Sequence, residues 1–166
     1  MKLAGILFLS LIPILFSFRL GEELRRKQKL RKAFLEFLSH FHFQIENFLR
    51  DQAEIVSCFD HSLFCKTPFF AELEKQIREN PCGAFARTWK RHGEDFGFDA
   101  ETFQLLSQLA EHFGFQEKNA QLAELSRAVE VLEKRENDGE KECENKIKIL
   151  RISGLTAGLG ILILLI

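Results

Sequence analysis

Residues Ile152–Ile166, ISGLTAGLGILILLI, carry no polar side chain larger than serine or threonine. A segment this apolar needs either a protein core or a lipid phase to cover it. A second apolar segment, Leu3–Phe18 (LAGILFLSLIPILFSF), lies near the other end, and nearly all charged residues lie between the two. The sequence therefore predicts a domain that the membrane holds at both ends.

Both apolar segments are shorter than the roughly 20 residues that cross a bilayer core about 30 Å thick. Either segment can span if Arg19 and Arg151 extend toward the headgroups and the bilayer thins locally. Two alternatives stay open: a cleaved signal peptide for Leu3–Phe18, and a buried core helix for Ile152–Ile166. No small-x-small cleavage site follows the first segment, and a core helix apolar on every face suits a much larger protein. Membrane spans are the favoured interpretation.

Basic residues cluster beside both apolar segments, on the side of the middle segment. Because Lys and Arg near a membrane span stay on the cytoplasmic side, the middle segment is predicted to be cytoplasmic and both tips to lie outside. The predicted domains are a transmembrane helix at 1–18, a cytoplasmic helical bundle at 19–151 and a transmembrane helix at 152–166. The membrane-flanking basic residues are Arg19, Arg25, Arg26, Lys27, Lys29, Arg31, Lys32, Lys146, Lys148 and Arg151.

The overall composition hides this partition. The 166 residues are 46% hydrophobic with a formal net charge of −1, values that suit an ordinary soluble domain. The charged middle, about 130 residues, is long enough for one modest core. Near-neutral charge argues against nucleic acid as the main partner, although the basic residues between 19 and 32 suit anionic lipid headgroups.

No motif in the sequence carries recognisable catalytic or metal chemistry. There is no Gly-rich phosphate loop, no GxSxG and no HExxH, so a non-enzymatic role without cofactors is expected. His40 and His42 cannot share a helix face at their spacing, which argues against a metal site. The cysteines lack metal-binding spacings and are expected to be reduced thiols, as in the cytoplasm. They are Cys58, Cys65, Cys82 and Cys143.

Helical patterns run through the middle segment. An apolar stripe predicts one long helix that continues from the first apolar segment, with Gly21 as a hinge. The stripe consists of Leu24, Leu30, Phe34, Leu38, Phe41, Ile45 and Phe48. A second helix is predicted over Gln52–Leu63, and its inward positions are Ala53, Val56 and Phe59.

Local signals place the next helix ends. Thr67 is predicted to cap a third helix with Pro68 in its first turn, and Asn80-Pro81 to end it. The apolar side of this helix consists of Phe69, Phe70, Leu73 and Ile77. A fourth helix begins at Gly83 and ends between Gly93 and Gly97.

The predicted core includes Phe85 and Trp89, one turn apart on the fourth helix, and Phe113 on the fifth. Asp99 is expected to cap the fifth helix and Gly114 to end it in the left-handed conformation. The last helix is predicted to start near Gln116. Its buried stripe consists of Leu122, Leu125, Val129 and Leu132.

Charged residues dominate 133–146, EKRENDGEKECENK. The favoured interpretation is a solvated helical stalk whose charges pair across turns; the alternative is a face that docks a partner. Gly139 weakens this helix by up to about 1 kcal/mol. Farther on, Gly154 and Gly158 form a GxxxG pattern that allows close helix packing in lipid, against the first apolar segment or a neighbouring subunit. Small residues of the first segment are Ala4, Gly5 and Ser10.

Several short segments, taken in order, resemble the stage III sporulation protein AB family of endospore-forming bacteria. They are the MKLAG start (Met1–Gly5), the basic exit from the first apolar segment, FARTW (Phe85–Trp89), EHFG (Glu111–Gly114) followed by Gln121, and the terminal GLTAGLGILILLI. Each segment is unspecific alone, but their order and spacing are not. The resemblance covers the whole chain.

The resemblance implies a protein of the mother-cell membrane that faces the forespore. It would belong to the complex that links the two cells, with a cytoplasmic helical bundle similar to those of platform proteins of type II secretion and type IV pilus systems. It would couple a cytoplasmic ATPase, the stage III sporulation AA protein, to other stage III membrane proteins. Homo-oligomers are also compatible with this picture.

Two classes of function follow. The first is a scaffold or assembly platform without an active site. The second is a membrane-tethered regulatory adaptor that binds a soluble partner or anionic lipid through its basic juxtamembrane segment. Salt dependence separates them, because ionic strength screens lipid headgroup binding more than packed protein contacts.

Overall fold

The computed structural model describes residues 2–48, 50–113 and 118–165, with side chains from Leu9 onward and up to Leu164 in these ranges. Within them the chain is all-helical and contains no strand, as predicted. Short 3-10 helices occur at Phe64–Lys66 and Gly93–Phe96. The α-helices are α1 (Lys2–Phe48), α2 (Gln52–Cys58), α3 (Pro68–Glu79), α4 (Ala84–His92), α5 (Ala100–His112) and α6 (Lys118–Leu165).

Contacts divide the chain into two compact units. One unit, here the bundle, comprises Lys29–Glu136. The other, here the helix pair, comprises the parts of α1 up to Gln28 and of α6 from Asn137. These boundaries reflect packing, whereas the predicted boundaries after residues 18 and 151 concern the membrane and stay a prediction.

Phenylalanine side chains fill the centre of the bundle. Phe34 lies 4.8 Å from Phe96 and 5.7 Å from Phe69, measured between ring centroids. Phe37 is also fully buried, although the sequence stripe omitted it, because its ring packs 5.1 Å from Phe64. Offset and edge-on ring contacts of this kind add about 0.5–1.5 kcal/mol each beyond burial.

The predicted stripe on α1 is confirmed in its middle and wrong at its end. Phe34, Leu38 and Phe41 are fully or almost fully buried, whereas 56% of Phe48 is exposed. Phe48 is the last residue of α1, and its ring lies 5.7 Å from the equally exposed Phe43. The apolar repeat in the sequence thus extends to Phe48, although Ile45 is the last residue of α1 that the core buries.

The second helix is shorter than predicted. α2 ends at Cys58, and Phe59 follows in an extended conformation, so the predicted extension to Leu63 is wrong. In one continuous helix Phe59 and Phe64 would point about 140° apart. Leaving the helix allows their rings to pack 5.8 Å from each other in the same core. Ala53, expected to point inward, is exposed, and Ile55 is buried in its place.

The helix ends that local chemistry predicts are confirmed. The Thr67 hydroxyl accepts a hydrogen bond of 3.1 Å from the Phe70 N–H, Pro68 occupies the first turn, and α3 ends before Asn80. The four predicted apolar positions of α3 are all buried. The carboxylate of Asp99 accepts a hydrogen bond of 3.0 Å from the Thr102 N–H at the start of α5. The predicted terminator Gly114 and the predicted start near Gln116 lie outside the described residues.

The prediction that residues 133–146 form a solvated stalk is wrong for one face of α6. Within the bundle, Glu136 is only 8% exposed, because Arg31 of α1 pairs with it at 2.9 Å. Within the helix pair, Cys143 and Ile147 are buried as well. These positions recur at helical spacing, so a sequence of mostly charged residues still contains a packed face.

Candidate functional site, a close-packed helix pair

In the helix pair, α1 and α6 run antiparallel. Gly21 of α1 faces Ile147 of α6, and the Arg151 guanidinium lies 5.1 Å from the centre of the Phe18 ring. Farther along, Ser17 faces Gly154 and Ser10 faces Gly158. Rising numbers on one helix meet falling numbers on the other. α1 is unbroken at Gly21, where the sequence predicted a hinge.

Two glycines of α6 allow the helices to approach to backbone contact. A Cβ atom on Gly154 would lie 2.2 Å from the Ser17 Oγ and 3.0 Å from the Pro13 carbonyl oxygen. A Cβ atom on Gly158 would lie 2.7 Å from the Ser10 carbonyl oxygen. No side chain fits at either position without moving α1. A Cβ atom on Gly160 would meet nothing within 4 Å.

The structure therefore brings Gly154 and Gly158 against the first apolar segment, one of the two partners that the sequence allowed. Of the small residues expected opposite them, Ser10 is in contact, whereas at Ala4 and Gly5 the structure describes only the helical backbone. Ser17 was missed. Its signal was the heptad spacing from Ser10, which places both serines on one helix face.

The hydroxyl group of Ser17 remains hydrogen-bonded although Ser17 lies in this close contact between the helices. Its hydroxyl donates to the Ile14 carbonyl oxygen at 2.7 Å, within its own helix. Serine can thus line an apolar helix interface while its hydroxyl remains hydrogen-bonded, a role typical of small residues between membrane helices.

The outer surface of the helix pair is covered by large apolar side chains. They occur on both helices and are Leu9, Leu11, Ile12, Leu15, Phe16, Phe18, Ile149, Ile152, Leu155, Leu159, Ile163 and Leu164. So many large exposed apolar side chains on one pair of helices indicate contact with lipid or with another protein.

Among the described residues, one helix is long and apolar enough to cross a membrane, judged by length and composition only. It is α6, whose most apolar 18-residue window has a mean hydropathy of 1.8, with 17% of that window buried. So little burial does not suit a core helix of this chain. The span predicted at Leu3–Phe18 stays a prediction, since part of that segment has no described side chains.

The ten basic residues predicted to flank the membrane do not form one cluster. Lys29, Arg31 and Lys32 belong to the bundle, and the other seven to the helix pair. Lys27 and Lys146 are each engaged by a glutamate one turn earlier, at 3.3 Å and 2.8 Å. The hydrogen bond from Lys146 lowers the pKa of Glu142. Five of the ten side chains are exposed and have no hydrogen bond or ion pair within the described part of the chain: Arg19, Arg25, Arg26, Lys29 and Lys148.

A model of the family described as stage III sporulation protein AB (spore_III_AB) matches residues 2–166, essentially the whole chain. The chain belongs to the stage III sporulation protein AB family. The resemblance seen in its short segments is thereby confirmed. No curated protein and no solved structure matches the chain.

Membership of the stage III sporulation protein AB family implies a role in stage III of sporulation and association with other sporulation proteins. The family assignment together with α6 suggests association with a membrane.

The family-like segment FARTW contributes Phe85 and Trp89 to the bundle core. Trp89 is 3% exposed, and its indole N–H donates to the Ser107 hydroxyl at 2.9 Å. Phe85 packs 4.9 Å from Phe113, which is also buried. Gly93 lies directly beneath Trp89, since a Cβ atom there would be 2.8 Å from the indole ring.

In the same segment, Arg87 forms a set of hydrogen bonds that was not predicted from the sequence. Arg87 donates to the Gln76 side chain at 2.8 Å and to the carbonyl oxygens of Cys82 and Asn80 at 2.8 Å and 2.7 Å. These bonds tie the turn between α3 and α4. A charged donor on backbone carbonyls is worth more than a neutral one, so the arginine of FARTW has a structural role.

A second polar contact joins α6 to the start of α5. Arg135 donates to Asp99 and to Glu101, each at 2.6 Å. Burial acts to raise the pKa of Asp99, but hydrogen bonds from the Thr102 N–H and the Arg135 guanidinium outweigh it and hold that pKa well below its usual range. Asp99 therefore both caps α5 and anchors α6.

The described residues contain no group of three or more His, Cys, Asp or Glu that could hold a metal ion. Burial and the nearby Arg50 charge lower the pKa of His40, and the His42 Nδ1 lies 3.7 Å from Glu46. The four cysteines are free thiols, with Cys58 and Cys82 exposed and Cys143 buried. A groove of about 500 Å³ lies between α4 and α5, lined by Lys90, Phe103, Ser107 and their neighbours.

Proposed function

We propose that this protein is a non-enzymatic platform of the complex that stage III of sporulation requires at the mother cell–forespore boundary. Its helix pair anchors it in the mother-cell membrane that faces the forespore. Its middle segment lies in the cytoplasm, where it couples a cytoplasmic ATPase, the stage III sporulation AA protein, to other stage III membrane proteins.

The observation that carries this proposal is the contrast between the two sides of the helix pair. Gly154 and Gly158 pack against α1 without room for a side chain, while the opposite surfaces of both helices present large exposed apolar residues. At about 25 cal/mol for each Å² of apolar surface, leaving this face in water would be strongly unfavourable. A lipid phase removes that cost and preserves the internal seam.

The positions of the charges support the orientation. Arg19 follows the first apolar segment directly, and Lys148 and Arg151 precede the second. All three belong to the helix pair. Because basic residues near a membrane span are retained on the cytoplasmic side, they support a cytoplasmic middle segment with both tips across the membrane.

The bundle supports the platform role through its construction. Its core is filled by aromatic side chains, and its polar contacts, such as Arg87 on the turn before α4, are structural. A helical domain of this kind suits assembly, and the family resemblance suggests a likeness to the platform domains of type II secretion and type IV pilus systems. Such a domain acts by binding its partners and needs no reaction of its own.

Co-purification of the full chain from sporulating cells tests the proposal. The tagged protein should resist carbonate extraction from membranes and, in mild detergent, retain the ATPase and other stage III proteins at raised ionic strength. Packed protein contacts are screened by salt far less than surface charge pairs. Release of the protein from membranes by carbonate would contradict the proposal that the helix pair anchors it there. Stage III membrane proteins recovered without the ATPase would contradict the coupling role.

A further inference from the structure

Arg151 occupies an unusual position in the helix pair. It lies between the apolar end of α6 and its charged portion, with its guanidinium over the Phe18 ring at 5.1 Å. Its Nε atom is buried and has no acceptor. Within the described residues the side chain makes no hydrogen bond or ion pair, so its charge has only the ring as a partner.

The rest of the guanidinium can bind an acceptor from outside the chain. A guanidinium has five N–H donors, and those of the two terminal nitrogens of Arg151 also have no acceptor within the described residues. The contact with Phe18 holds the group beside the ring. Phosphate and carboxylate oxygens are the acceptors that this planar fork binds best.

A second cation lies beside Arg151. Lys148 lies one turn before it on α6, is exposed and has no ion-pair partner among the described residues. Glu144, the nearest acidic residue along α6, forms no ion pair with either cation within the described part of the chain. The two basic residues therefore form a site with an excess of positive charge.

We propose that Lys148 and Arg151 bind the phosphate group of an anionic phospholipid at the membrane surface, with Phe18 holding Arg151 in place. The exposed apolar residues Leu11 and Leu15 precede Phe18 by seven and three residues and share its face of α1. They provide a surface for the acyl chains, which a free phosphate does not need. This inference rests on the proposed membrane insertion, and it makes the helix pair selective for the lipid that surrounds it.

Lipid retention by the full chain tests the site. The protein is reconstituted in nanodiscs of phosphatidylcholine with a minor fraction of phosphatidylglycerol, released into mild detergent, and its bound lipids are counted by native mass spectrometry. We expect phosphatidylglycerol to be enriched over its bulk fraction. Each cation near the surface contributes about a fivefold preference, so Arg151→Gln should lower the enrichment by about that factor.

Matched variants separate a defined site from general charge attraction. Lys141→Gln removes one positive charge from an exposed position on α6, ten residues from Arg151, and should leave the enrichment unchanged. Arg151→Lys keeps the positive charge but loses the planar guanidinium, which binds phosphate through two N–H groups and packs on the Phe18 ring. It should retain part of the enrichment. Lys148→Gln changes only an exposed side chain and should also lower the enrichment, so it tests the site even if Arg151→Gln fails to fold.

Three results would overturn the inference: no enrichment in the parent, equal losses in the Lys141→Gln and Arg151→Gln proteins, or displacement of the lipid by millimolar inorganic phosphate. The last would indicate a site for a soluble anion. A parent protein that does not insert into bilayers at all would instead contradict the proposed function. Carbonate resistance, measured on the same samples, distinguishes the two failures.

Discussion

Trp89 shows how a single side chain links two helices of the bundle. The ring packs against Phe34 and Phe103 at 5.4 Å each, and its N–H reaches Ser107 on α5. Gly93 makes room for the indole from below. The indole ring therefore packs in the core, and its N–H group is hydrogen-bonded.

We predict that Trp89→Ala lowers the free energy of unfolding by roughly 3–5 kcal/mol, because it leaves a large cavity among rings that cannot collapse into it. Urea unfolding followed by circular dichroism in detergent measures the loss. The chain has one tryptophan, so fluorescence is absent from the variant. Ser107→Ala is the matched control and should lose only about 0.5–1.5 kcal/mol, the value of one hydrogen bond. A loss below about 1 kcal/mol for Trp89→Ala would mean that the indole is not part of the core.

Asp99 is expected to make the stability of the bundle dependent on pH. Its pKa in the folded protein lies below the ordinary value of 3.8, so its stabilisation is fully present above that value and is lost as the pH falls through and below it. Asp99→Ala should lose about 1 kcal/mol at neutral pH from the cap and up to about 1 kcal/mol more from the exposed pair with Arg135. Unfolding free energies at neutral and acid pH provide the measurement.

Asp99→Asn separates these two contributions. Asparagine caps a helix about as well as aspartate, so this variant should lose only the charge interaction and should show a weaker pH dependence than the parent. A parent and an Asp99→Ala protein with the same decline in stability toward low pH would contradict the role of this carboxylate.

Among the helices, the contact between α1 and α6 depends most directly on residue size. We predict that Gly154→Leu, Gly158→Leu separates the two helices while leaving membrane insertion intact or improved, since leucine inserts well but clashes with Ser17 and the Ser10 backbone. Loss of assembly and of sporulation should follow. Cysteine cross-linking across the seam reports the separation.

Gly160→Leu is the matched control for this variant. It adds one leucine to the same helix at a position where a Cβ atom meets nothing within 4 Å. It should therefore assemble and sporulate like the parent. If the Gly154, Gly158 double variant behaved like the Gly160 control, the apolar end of α6 would act as an anchor alone.

A substitution at Gly139 is predicted to stabilise the protein, unlike those at Trp89 and Asp99. It lies inside α6, and a Cβ atom there would meet nothing within 4 Å. Gly139→Ala should raise stability by about 0.5–1 kcal/mol, because alanine restricts the unfolded chain and fits the helix without strain. Thermal unfolding checks this. A lower melting temperature would indicate that the helix bends at this position in the functioning protein.

The topology of the whole molecule can be tested through two of its thiols. Cys58 and Cys82 are exposed, so a reagent that cannot cross membranes should label them after permeabilisation and not in intact cells, if the middle segment is cytoplasmic. Cys143 is buried and reports burial rather than sidedness. Labelling of Cys58 or Cys82 in intact cells would reverse the predicted topology.

The sequence by itself determined the features that depend on near neighbours. The caps at Thr67 and Asp99, the end of α3 before Pro81, and the apolar side of α3 follow from hydrogen bonds and periodicity within a few residues. The family was also recognisable, because it rests on the order of short segments along the chain. None of these signals requires knowing which helices meet.

Only the tertiary structure decided which residues meet across long separations. Arg135 binds Asp99 across 36 residues of sequence, and Ser17 lies against Gly154. Periodicity places Ser17 on one face of α1 with Ser10, but it does not identify the residue opposite, and the pairing of Arg135 with Asp99 leaves no trace in it. Phe59 leaves its helix because its ring packs against Phe37, and Glu136 is buried because Arg31 pairs with it. The free energy of such contacts depends on a partner that is distant in the chain, and it outweighs the weaker helix preference of each residue.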